Sequence, residues 1–194
     1  QRQMCIRDRQ ITLRYAREVK NKLLAPRLLG SNGTLRNEFI ARLPFALTGA
    51  QNRVLDEIYA DLVRNTPMNR LVQGDVGCGK TIVAALSSLQ AVDSGYQAAL
   101  MAPTEILAEQ HFLKLKPLLE PLGVQVILLI GSMRAKEKAL RQEMVASGQA
   151  QVVIGTHALI QETVKFHKLG LSIVDEQHRF GVEQRLKLRN AVQE

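Results

Sequence analysis

Gln73-Gly74-Asp75-Val76-Gly77-Cys78-Gly79-Lys80-Thr81 contains a complete phosphate-binding loop of the form G-x-x-x-x-G-K-[ST]. Leu71 and Val72 precede it, and Ile82, Val83, Leu86 and Leu89 follow at helical spacing. The pattern predicts a short strand over Arg70–Gln73 and a helix from Lys80 to about Val92. Gly74, Gly77 and Gly79 let the backbone turn its N–H groups toward phosphates without Cβ clashes. The helix start adds the positive end of its dipole. Lys80 is suited to neutralising β- and γ-phosphates, and the Thr81 hydroxyl to ligating Mg²⁺. Asp75, Val76 and Cys78 complete the nucleotide-binding loop. Cys78 contributes chiefly its backbone N–H, its thiol being a small filler or a group acidified at the helix start.

Downstream, the chain alternates strand and helix patterns. Strands are expected at Gln97–Ala102, Val124–Ile130, Gln151–Ile154 and Leu171–Val174. Helices are expected at Thr104–Leu119 and Met133–Ala146, with a last one beginning near Gly181. The strands are short, continuously apolar and rich in β-branched residues, which predicts a parallel sheet covered by helices on both faces. Right-handed crossovers then bring every strand's C-terminal end to one edge, where open α/β sheets bind ligands. Upstream, Thr48-x-x-Gln51 fits a capping box opening a helix to about Arg64, with Val54, Leu55, Ile58 and Leu62 on one face. A short helix is expected over Thr34–Arg42. Residues 1–9 carry no core pattern and are read as non-native or disordered chain. Residues 10–43 read as the end of a preceding domain and a linker.

The 194 residues suffice for one well-buried domain with an appendage. There is no Trp, and Tyr and Phe together number eight, so the core must be mostly aliphatic. No apolar run approaches the roughly 20 residues of a membrane span. Cys5 and Cys78 do not suggest a disulfide framework, and residues 1–10 lack the apolar segment of a secretory signal, so a reducing, cytoplasmic setting is expected. Of the net charge of +8, residues 1–42 carry +7 (ten Lys/Arg, three Asp/Glu). The basic piece is either a solvated arm or a nucleic-acid contact.

Ile173-Val174-Asp175-Glu176-Gln177-His178 is an apolar strand ending in adjacent carboxylates. Alone it is equally a solvated turn. In a chain that also carries the phosphate loop, Asp175 suits a Mg²⁺ ligand and Glu176 the group that polarises an attacking water. Gln177 and His178 either relay hydrogen bonds to a neighbouring domain or cap a helix. Gln51 closes the capping box, and its amide also sets donor beside acceptor, as an adenine edge requires. Phe45 is near enough in sequence to pack on a base or to staple the linker. Pro103-Thr104 and Gly155-Thr156-His157 occupy strand-to-helix turns. Their hydroxyls and helix-start N–H groups suit sugar-phosphate contacts or plain N-capping.

LTGAQ (47–51), QGDVGCGKT (73–81), APTEILAEQH (102–111), GTHALIQ (155–161) and VDEQHRFGVEQR (174–185) resemble the first RecA-like motor domain of superfamily 2 helicases. The resemblance covers about residues 43–194. It is closest to the bacterial ATP-dependent DNA helicases that remodel stalled forks and Holliday junctions. The DEQH box followed by RFGVEQR is its most specific element. It implies ATP and Mg²⁺ as cofactors and branched or forked DNA as partner. It implies Gln51 for adenine, Lys80 and Thr81 for phosphates and Mg²⁺, Asp175 and Glu176 for Mg²⁺ and water, and Thr104 and Thr156 with their neighbours for the DNA backbone. It implies His178 for coupling. Cys78 stands where the pattern holds Ser. The resemblance further implies a wedge domain ahead of residue 44 and a second RecA-like half beyond residue 194, so that 44–194 is a truncated first motor domain, acting as a monomer. A transcription-repair coupling translocase, a nucleotide-binding module without hydrolysis, and a P-loop ATPase acting on proteins are the competing readings.

Overall fold

Apolar periodicity and capping account for most of the architecture. The computed structural model describes residues 24–30, 33–75, 77, 79–161 and 163–176. Helix α1 spans Thr34–Ala41, α2 Gly49–Leu62 and α3 Lys80–Asp93. Thr48 and Gln51 form the expected capping box: Gln51 N donates to Thr48 Oγ1 at 3.2 Å, and Thr48 N donates to Gln51 Oε1 at 2.8 Å. Helix α3 is apolar nearly all round, with Val83, Ala85, Leu86, Leu89, Ala91 and Val92 buried, as suits a helix packed between other layers. Its buried Ser87 and Ser88 hydroxyls donate to the carbonyls of Val83 and Ala84, so neither is left unpaired.

After α3 come strand β1 (Gln97–Met101), α4 (Glu105–Leu119), β2 (Val126–Leu129), α5 (Ala135–Ala146), β3 (Val152–Gly155) and β4 (Leu169–Val174). The sheet order is β2-β3-β1-β4, and every pairing is parallel. Successive strand side chains point to opposite faces, and the core divides accordingly. Ala98, Leu100, Val126, Leu128, Val152, Ile154 and Leu171 pack with α1 to α4. Ala99, Met101, Ile127, Leu129, Val153 and Leu169 pack with Val145 of α5 and with Leu159 and Val164. Helices therefore cover both faces, as the continuous apolar runs predict.

Gln97 is the buried polar exception at the start of β1. Its Nε2 donates to the carbonyls of Val145 (3.0 Å) and Ala150 (2.6 Å), and its Oε1 accepts from Lys168 N (3.0 Å). One side chain thus ties β1 to α5 and to the loop before β4.

Two local results differ from simple expectation. Residues 70–73 are not a strand. Arg70 forks onto Glu57 and Asp61 of α2, with Nε to Asp61 Oδ2 at 3.0 Å. Leu71 is 67% exposed. With only Leu71 and Val72 to bury, the segment gains little apolar area from the sheet, while Arg70 gains two carboxylates beside α2. The second result concerns residues 24–43. Leu28 and Phe39 are each 1% exposed and belong to the core shared by α2 and α3. Leu28 N donates to Leu62 O (2.9 Å), and Gln90 Nε2 donates to Leu28 O (2.8 Å). The helix expected near Gly181 lies outside the described residues.

Candidate functional site

Helix α3 has 14 residues and β1 has 5, which correspond to about 21 Å and about 17 Å. Residues 94–96 join them, and α3 packs on β1 and β4. The helix therefore runs back along the sheet, and its Lys80 end reaches the edge where the strands finish. Asp175 follows β4 on that same edge, where its N–H donates to Met101 O at 2.8 Å. The lysine-bearing loop and the acidic pair thus share one margin of the sheet.

Within the loop, Gly77 (φ 85°) and Gly79 (φ 84°) both adopt left-handed backbone, which costs an L-residue with a side chain about 1–2 kcal/mol. Gly79 is also the N-cap of α3. A Cβ there would collide with the Gln51 side-chain amide. The capping glutamine of α2 thereby lies directly against the phosphate loop, although the two are 28 positions apart in sequence. Lys80 Nζ donates to the carbonyls of Gly74 (2.5 Å) and Asp75 (2.8 Å), so the ammonium is folded over the loop. Thr81 begins the first turn of α3 and is half-buried. Val76 and Cys78 lie outside the described residues, as do Gln177 and His178.

Asp175 Oδ2 lies 2.7 Å from His111 Nε2, and Asp175 Oδ1 accepts from Glu176 N at 3.0 Å. Glu176 is the only non-glycine with positive φ (48°) among the described residues, and it is exposed. Strained backbone at a strand end next to a ligand-type carboxylate is characteristic of functional turns. His111 carries no role in the sequence reading, though it closes the quoted stretch 102–111. Its partner is 64 positions away, and no local spacing signals that pairing.

The turn after β1 has Pro103 half-buried and Thr104 exposed. Thr104 Oγ1 accepts from Leu107 N at 3.3 Å, capping α4. Glu105 crosses to the turn after β2, where its Oε1 accepts from Ser132 N at 3.0 Å. Hydrogen bonds from the Ser132 side chain and backbone hold the Glu105 carboxyl below its usual range. In the turn after β3, Gly155 is buried, and a Cβ there would strike Leu129 O and the Leu159 side chain. Thr156 is 2% exposed, and its hydroxyl accepts from Ala158 N at 3.4 Å to cap a 3-10 turn at His157–Ile160. His157 is exposed. Thr104 and His157 therefore present side chains to solvent on this edge, whereas Thr156 turns inward. Phe45, 50% exposed, lies in the segment leading into α2.

The donor set fits a metal-bound triphosphate. A carboxylate offers about four lone-pair sites; the Asp175 contacts use two, and a hard cation takes oxygen ligands of this type. Gly79 leaves the space beside the Gln51 amide that a side chain would fill. No helix among the described residues is long and apolar enough to cross a membrane.

Comparison with known proteins shows the family. The chain is 55% identical over 160 residues to the ATP-dependent DNA helicase RecG of Escherichia coli (strain K12), covering 82% of this chain and 23% of that protein. It is 54% identical over 170 residues to RecG of Mycobacterium bovis, again covering 82% and 23%. The chain thus spans about a quarter of the length of the curated relatives it matches. Among solved structures, RecG bound to a three-way DNA junction aligns with a TM-score of 0.78 at 45% identity, over 89% of this chain and 24% of that one. An ATP-dependent RNA helicase from Sulfolobus tokodaii, described as hypothetical, aligns at 0.56 with 17% identity, over 81% of this chain and 44% of that one, and so shares the fold. The fold is RecA-like. Residues 48–194 match the DEAD/DEAH box helicase family, from the capping threonine of α2 onward, and the chain belongs to that family.

Proposed function

We propose that this chain is the ATP-binding motor half of an ATP-dependent DNA helicase or translocase that remodels branched DNA, such as stalled forks and Holliday junctions. The observation that carries the proposal is the convergence of the phosphate loop and the Asp175-Glu176 turn on the edge where β1 and β4 end. The RecG-type relatives and the junction-bound RecG structure support DNA as the partner.

In this reading, residues 74–81 hold the triphosphate through backbone N–H groups, Val76 and Cys78 among them. Lys80 leaves the carbonyls of Gly74 and Asp75 for the β- and γ-phosphate oxygens, a stronger charge-assisted partner. Gln51, already against Gly79, turns its amide to the adenine edge. Thr81 and Asp175 hold Mg²⁺, which when bound neutralises charge between the β- and γ-phosphates. Glu176 orients the attacking water and accepts its proton. His178 couples the site to a second RecA-like half of a longer chain. Thr104 and His157, with the turns around Pro103, Gly155 and Thr156, contact the DNA backbone. Only the last three need act without their side chains, consistent with a buried Thr156. The setting is cytoplasmic, and the motor is a monomer.

Lys80→Ala and Glu176→Gln in a full-length protein carrying this sequence test the roles. Both variants lose DNA-stimulated ATP hydrolysis. Lys80→Ala also weakens nucleotide binding about 10- to 100-fold, the worth of a charged hydrogen bond. Glu176→Gln binds nucleotide normally. Normal turnover in either variant contradicts the assignment.

For the 194-residue chain alone, a second reading is favoured by its length, about a quarter of its relatives. It binds nucleotide and hydrolyses it slowly or not at all, because an arginine finger from another domain contributes roughly 10³- to 10⁵-fold in related reactions.

A further inference from the structure

His111 sits where α4 and the end of β4 meet. Its Nε2 is 2.7 Å from Asp175 Oδ2, and its Nδ1 is buried without a hydrogen-bond partner. A carboxylate only accepts, so Nε2 carries the proton and donates. Among the described residues the imidazole therefore has one polar contact, the Asp175 carboxylate. The Asp175 carboxylate is held at both oxygens, by His111 on one and by Glu176 N on the other. Its rotation about χ2 is thereby restricted, and its remaining lone pairs keep one orientation. His111 follows Thr104, the N-cap of α4, by seven residues, which is two turns and about 10 Å of helix.

We propose that His111 is a positioning residue: it fixes the Asp175 carboxylate in the orientation that receives the divalent cation, and so ties α4 to the nucleotide site. The inference rests on the nucleotide-site reading above. Outer-shell partners of metal-binding carboxylates typically affect metal affinity 10- to 100-fold when removed. His111 has the features of such a partner, namely a direct short hydrogen bond, partial burial and no competing acceptor in the described structure.

The test uses the 194-residue chain with His111→Ala and His111→Gln, and a fluorescent ATP analogue titrated in EDTA and in Mg²⁺. Gln places an amide N–H near the position of Nε2. The unsubstituted chain binds more tightly with Mg²⁺ than in EDTA. In His111→Ala the affinity in EDTA is unchanged, while the gain on adding Mg²⁺ falls about 10-fold. His111→Gln recovers most of that gain. A full Mg²⁺ gain in His111→Ala overturns the proposal. Equal losses in EDTA and in Mg²⁺ also overturn it, because His111 then serves the fold alone. An unsubstituted chain without any Mg²⁺ gain refutes the nucleotide-site reading itself, and that failure is recognisable because it appears before any substitution.

Discussion

Tyr59 shows how one atom sets a residue's behaviour. Its hydroxyl is buried without a hydrogen-bond partner, while the Arg36 guanidinium lies 4.3 Å from its ring centroid. Burial pushes the phenol up to about 12 from 10.0; Arg36 pulls the other way and loses. With the folded-state value raised, stability does not depend on this group's ionisation below pH 10. It declines as pH rises from 10 toward 12, because the unfolded chain ionises first. Tyr59→Phe removes both the unpaired hydroxyl and the ionisation. It should raise stability by roughly 1 kcal/mol at neutral pH and flatten the alkaline decline, as measured by denaturant unfolding at pH 7 and pH 11. A less stable Phe variant would mean that the hydroxyl has a partner in solution. At the same scale, Lys80, Asp175 and Glu176 were nameable as candidates because the chemistry of a triphosphate prescribes their types. His111 and Tyr59 were not, since a histidine or tyrosine within a helix pattern gives no sign of which distant group it will face.

Elements were more legible than contacts. Helix α3 begins at the lysine of the loop as expected, and α2 opens on the Thr48–Gln51 box as expected, because caps and periodicity are local. The four strands of the described sheet fall on the four β-branched or alanine-rich apolar runs downstream of α3. The strand expected at 70–73 failed because its apolar content is slight and the competing pull of Glu57 and Asp61 on Arg70 is tertiary. The junction between α2 and α3 supplies a test. Gly77 and Gly79 have nearly the same left-handed φ, yet only at Gly79 does an added Cβ meet another group, the Gln51 amide. Gly77→Ala should therefore lose only about 1–2 kcal/mol of backbone strain. Gly79→Ala should lose more, and in a Gln51→Ala background, where the cap is already lost, its added cost should fall to that of Gly77→Ala. Thermal unfolding of the unsubstituted chain and the four variants reads this directly. Equal losses at both glycines would show that Gln51 does not rest on the loop.

Among the described residues, a parallel sheet gathers turns from distant sequence onto one edge: Gly79 and Lys80 at the start of α3, the turns after β1, β2 and β3, and Asp175-Glu176. If the exposed side chains there track a DNA backbone, forked-DNA binding by a full-length protein should weaken steeply between 50 mM and 200 mM salt. Thr104→Ala with His157→Ala should lower affinity without altering nucleotide binding. Salt-insensitive partner binding would instead favour a P-loop ATPase acting on proteins.

The most direct test is the position of Lys80 Nζ and the Asp175 carboxyl in a structure of this chain with Mg²⁺ and a non-hydrolysable ATP analogue. The account predicts Lys80 on the terminal phosphates and Asp175 in the coordination sphere of the same magnesium, with His111 still on its Oδ2. Nucleotide bound away from residues 74–81, or an Asp175 turned from the metal, would contradict it.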